Sequence, residues 1–244
     1  MENLNNTEPA AAPIAAPDGG DKGLSFRGLF EVFYRPGKLF AQLKDNPKVL
    51  VPYLAVIIVS IISIYLIADI IMDLVMSSEA MRQRLQGQEL PPQAMQIQKI
   101  VQMIMIVIIS ALVPIFIASF AIFWGNFVYA GKARFKQVLS VALYGQFLFE
   151  VGGLIGSLLI KAKGSMMTPF SLGVLAIDQG LESVSFIALS KIDLFNIWEI
   201  IVVGIGLATI YGFERNKGYM LSVLSVGLVS VLHIVFALIG SLFM

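Results

Sequence analysis

The chain has 244 residues, 57% of them apolar (AVILMFWYC) and 14% charged, with a mean hydropathy of +0.84. Soluble domains run at about 45–50% apolar and about 25% charged, so a soluble fold of this size could not cover so much apolar area. A net charge of +1 excludes a basic nucleic-acid surface, the lack of cysteine excludes thiolate metal sites and thiol nucleophiles, and a single histidine excludes a His-rich metal cluster.

Residues 1–24 are rich in Ala, Pro, Gly and acids and are expected to form a disordered cytoplasmic tail. They have neither a basic n-region nor an apolar h-region, so they do not read as a signal peptide. The sequon Asn5-Asn6-Thr7 is discounted for a tail expected in the cytoplasm. In Ser25–Tyr34, Phe26, Leu29, Phe30 and Phe33 recur at i, i+3, i+4 and i+7, which predicts one helix face. Pro36 opens a second short helix with Leu39, Phe40 and Leu43 on one side, and Asp45-Asn46-Pro47 ends it. These aromatic and leucine faces lie beside Arg27, Arg35, Lys38 and Lys44. That predicts amphipathic helices in the cytoplasmic headgroup region rather than helices packed on the protein's own loops.

Five runs reach the ~20 apolar residues needed to span a bilayer: Val49–Ala68, Ile100–Gly125, Gln137–Ile160, Leu194–Phe213 and Gly218–Met244. Backbone groups in lipid must be satisfied internally, and the runs lack period-2 alternation, so the fold class is all-α: an integral membrane bundle of five helices in residues 25–244. Pro91-Pro92 suits a helix start that would carry the second span out of the membrane, and Pro114 predicts a kink. Residues 165–193 are semi-apolar but too short for a span and are expected to form short interfacial or re-entrant helices. Of the 17 Lys and Arg, eleven fall before span one or in the connections after spans two and four, and six fall on the other side. The N-terminus is therefore expected in the cytoplasm and the C-terminus outside.

No HExxH, GxSxG, nucleotide-binding or phosphate-loop pattern occurs. No enzyme, cofactor or metal is expected. Gly204, Ala208 and Gly212, four apart, predict a small-residue face packed against another span of the same chain. Glu150 and His233 lie near the middle of spans three and five. An ionisable group there costs at least about 2.5–3.5 kcal/mol and needs a partner or water, so the two are a candidate polar pair. They read as a structural contact first and a proton or ion relay second. Glu199 is expected near the non-cytoplasmic end of its span, where the cost is lower.

RPGKLFAQLKDNPKVLVPYL resembles the start of the Ypt-interacting-protein (Yip) domain, with Pro36 leading a short helix and an Asn-Pro break before the first span. GKARFKQVLSVALYG resembles that family's connection into its third span. IDLFNIWEIIVVGIGLA is similar to its Asp-Leu-Phe, Trp and Gly-x-Gly-Leu-Ala, here Asp193, Leu194, Phe195, Trp198, Gly204, Gly206, Leu207 and Ala208. The resemblance covers roughly residues 26–242. It implies a five-helix bundle with a cytoplasmic N-terminus and no known catalytic activity. Eukaryotic relatives are associated with Rab-type GTPases and vesicle transport. The chain resembles the prokaryotic branch, which implies the inner membrane. It lacks the long tyrosine-bearing cytoplasmic domain, so the GTPase partner is not implied here, and Glu150 stands where relatives often have proline.

The expected function is a scaffold or membrane-organising role, with the lipid bilayer, a membrane-protein partner or a second copy as partners. The alternative is a small proton- or ion-coupled transporter or channel using Glu150 and His233. Five spans and no internal repeats weigh against it.

Overall fold

The computed structural model describes residues 26–77, 81, 85–86, 90–164, 170–179 and 183–242, with side chains to residue 236. The tail with its sequon lies outside the described residues. Two short helices, α1 (Arg27–Tyr34) and α2 (Pro36–Asp45), precede the long α3 (Leu50–Ser77). Helix α4 (Pro92–Ile122) continues into a π-helical turn, Phe123–Val128, and α5 spans Phe135–Lys163. A 3₁₀ segment (Leu172–Gln179) and the short α6 (Val184–Ser190) lead to α7 (Leu194–Tyr211) and α8 (Arg215–Leu242). Five helices are long and apolar enough to cross a membrane, and the described residues contain no strand.

Charged residues move several predicted ends. Helix α3 runs past Ala68 through Asp69 and Asp73, and α5 starts at Phe135 rather than Gln137. Helical hydrogen bonding inside the chain does not stop where side chains become polar, so these helices outlast their apolar runs. Helix α4 starts at Pro92 as the proline pair suggests. It is continuous across Pro114, and a π-helical turn follows at Phe123–Val128, where Tyr129 N–H donates to Trp124 C=O five residues back at 2.9 Å.

The long helices form a ring in which α3 packs on α5 and α4, α5 on α7, α7 on α8, and α8 on α4. Helix α5 also packs across the ring on α4, and it is the most buried of the five. Its start clamps the chain before α3: Gln137 Nε2 donates to Lys44 C=O at 2.6 Å and Ser140 Oγ to Lys48 C=O at 2.8 Å. Tyr53 OH reaches Ala111 C=O at 3.2 Å, tying α3 to α4, and Lys99 forms an ion pair with Asp69 between the same helices.

Helices α1 and α2 dock on this ring. Val32, Leu39, Phe40 and Leu43 are buried in the core formed by α5 and α7. Phe33 packs edge-on against Phe147 and Trp198, with ring centroids 6.1 and 5.9 Å apart. The predicted aromatic face therefore divides. Leu29 and Phe33 turn to the bundle, while Phe26 and Phe30 remain exposed together with Tyr34. The helices use both environments, because an eight-residue helix can offer its two sides to two different apolar surroundings.

Candidate functional site

The polar groups inside the ring converge on a cavity of about 390 Å³ between α3, α4, α5, α7 and α8. Its walls mix Ile and Val with polar residues, among them Ser110, Gln146, Glu150, Asn196 and Glu199, and Lys191 and His233 are also on the lining. Helical spacing brings the polar groups there: Gln146 and Glu150 are four apart on α5, and Asn196 and Glu199 three apart on α7.

Glu150 is held by two donors. Ser110 Oγ of α4 and Gln146 Nε2, the latter at 3.1 Å, both donate to its Oε1. Its Oε2 accepts none of the described hydrogen bonds. Glu199 is more deeply placed, only 3% exposed, and its Oε1 has no hydrogen-bond partner among the described residues. Gly145 of α5 lets α7 approach closely beside this carboxyl: a Cβ there would press on Val203 Cγ2. The two carboxyl side chains line the same cavity. Position along the span suggested a low cost for Glu199. The ring buries it instead, because α7 packs on both α5 and α8. The signal in the sequence was Asn196 and Glu199 sharing a helix face.

Glu150 and His233 line this cavity together but do not form the expected pair. Helices α5 and α8 are not packed neighbours in the ring, so the two side chains meet different partners. Lys191 Nζ and His233 Nδ1 are 3.0 Å apart. Lys191 lies just ahead of α7, and burial pushes its ammonium below the usual lysine range. No described ion pair involves either cavity carboxylate.

Two members of the predicted small-residue face pack inside the chain. A Cβ on Gly204 would lie 2.5 Å from Tyr219 Cδ1 and 3.0 Å from its Cα, and a Cβ on Gly218 would lie 2.6 Å from that of Ala208. Helices α7 and α8 thus touch almost backbone to backbone, and Ser222 Oγ adds a bond to Ile200 C=O at 2.7 Å. Gly212 is not part of this contact. It caps α7 in the left-handed region at φ +70°, and its missing Cβ faces open space.

The remaining singled-out residues are structural. Pro36 occupies the first turn of α2, where its missing N–H removes no bond. Asp193 caps α7, its Oδ1 accepting from Phe195 N–H at 2.8 Å and Asn196 N–H at 3.3 Å. Burial nonetheless pushes its carboxyl pKa above the ordinary value, against the pull of these two bonds. Phe195 stacks edge-on with Phe170 and lies against Gly152 of α5. A Cβ on Gly206 would press on Val141 and Phe40, so this glycine seats α2 against α5 and α7. Phe170 and Leu172 pair with the chain entering α7 through Leu172 N–H to Ile192 C=O at 3.0 Å and Leu194 N–H to Phe170 C=O at 2.9 Å.

No curated protein and no solved structure matches the chain. The segments that resembled the Yip domain are those that seat α2, start α5 and cap and pack α7. A family model described as the Yip1 domain matches residues 30–239, nearly the whole membrane bundle, and the chain belongs to that family.

Proposed function

We propose that this Yip1-family membrane protein organises or scaffolds its membrane without catalysing a reaction. The observation that carries this reading is the docked α1–α2 pair. It is seated on the bundle by Phe33, Phe40 and Leu43, yet leaves Phe26, Phe30 and Tyr34 exposed, Phe30 at 70%. Exposed aromatic side chains next to Arg27 and Arg35 suit insertion at a headgroup boundary. A wedge fixed to a five-helix anchor changes the area of one leaflet. The excess of basic residues before α3 and in the connections after α4 and α7 supports a cytoplasmic face for it. The absence of a recognised catalytic motif agrees with this reading, and so does membership of a family not known for enzymes. The protein reconstituted into vesicles is expected to reduce their mean diameter with increasing protein density. Phe26→Ser with Phe30→Ser is expected to remove the effect. Equal vesicle sizes with and without the aromatic face would refute this reading.

A second reading, ion-coupled transport, draws on the cavity shared by Glu150 and His233. It expects flux across proteoliposomes that Glu150→Gln abolishes while the protein remains folded.

A further inference from the structure

The cavity holds two carboxyl groups and no cation paired to either of them. Glu199 Oε1 is buried and unpartnered, and both bonds to Glu150 fall on its Oε1, leaving Oε2 to the cavity. Two carboxylates on one cavity of an apolar bundle are costly unless positive charge or a proton sits with them. Lys191 lines the same cavity, but its ammonium is beside His233 Nδ1 and outside ion-pair distance of both acids. The neighbouring groups are oxygen-bearing: the Ser110 hydroxyl, the Gln146 side-chain carbonyl that remains when its Nε2 donates to Glu150, and Asn196.

From the buried, unpartnered Glu199 carboxyl and the polar groups that share its cavity, we propose that Glu150 and Glu199 bind one monovalent inorganic cation, with Na⁺ as the ligand. Oxygen donors select hard cations. The described residues contain no group of three or more Asp, Glu, His or Cys that would suit a divalent metal. The charge also balances for a monovalent ion: with one proton held by the pair, a single Na⁺ brings it to neutrality. A volume of about 390 Å³ leaves room for the ion to keep some of its water. Glu199 thereby replaces His233 as the partner of Glu150. The site shares its cavity with the ion-coupled reading but does not rest on transport, since a cation bound at equilibrium stabilises the ring whether or not it moves.

The test is ²²Na⁺ binding to the purified full chain in detergent at pH 8, together with melting in NaCl against choline chloride at equal ionic strength. Saturable ²²Na⁺ binding and a higher Tm in NaCl are expected. Glu199→Gln and Glu150→Gln should each weaken binding at least tenfold and remove the NaCl-dependent shift. Ser110→Ala, which leaves both acids in place, should weaken binding severalfold and covers the case in which an acid variant fails to fold. Absence of saturable binding overturns the site. So does unchanged binding in Glu199→Gln, or stability that follows pH but not Na⁺, which would mean the pair holds a proton alone. Binding without flux in proteoliposomes would leave the site standing and remove the transport reading.

Discussion

Gly204 and Gly212 lie two helical turns apart and carry the same side chain for different physical reasons. Gly204 allows Tyr219 to approach, so Gly204→Ala forces overpacking and is expected to cost about 1–3 kcal/mol. Gly212→Ala places a Cβ in the left-handed region at φ +70° and is expected to cost about 1 kcal/mol. Thermal melts in detergent separate the two mechanisms: Tyr219→Ala should partly rescue Gly204→Ala and leave Gly212→Ala unimproved. Lys191 makes the pH argument at the same scale. Its pKa is lowered from the usual 10.5 because burial disfavours the charged form. Below its folded value the group is charged in both states and the full destabilisation is present; this fades as pH rises toward 10.5. Lys191→Met should therefore raise Tm at pH 7, with the gain narrowing toward pH 10. A gain that grew with pH would contradict that origin.

At the scale of elements, α1 separates two roles along one short sequence. Phe33 touches Phe147 and Trp198, so Phe33→Ala is expected to destabilise the bundle by on the order of 3 kcal/mol. Phe30 is exposed, and Phe30→Ser should leave the melting temperature within a degree or two of the parent. A peptide of residues 25–44 should gain helicity on anionic vesicles and release in high salt, and Phe30→Ser should weaken that binding. A peptide that remains unstructured on such vesicles would remove the interfacial role and leave α1 as a packing element. The period of the apolar residues identified this helix. It did not show which residues face lipid and which face protein, because both surroundings reward the same apolar side chain.

For the whole molecule, the asymmetry of basic residues leads to an expected topology with residue 1 in the cytoplasm and Met244 outside. An alkaline phosphatase fused after Met244 should be active, and a fluorescent protein fused there should be dark; the opposite result would reverse the bundle. Five spans and their all-α class were legible in the sequence because uninterrupted apolar runs leave a chain in lipid few ways to satisfy its backbone. The Yip1 family was legible too, since Pro36, Asp193, Phe195, Trp198 and Gly206 perform local tasks of capping and close packing that tie residue type to position. The order of helices around the ring was decided only in three dimensions. That order separates α5 from α8, gives Glu150 and His233 different hydrogen-bond partners, and packs α7 with Glu199 onto α5 at the cavity of Glu150. Depth along a span can be counted in residues, but which neighbour a buried carboxyl faces depends on how separate helices pack, and hydropathy carries no record of that.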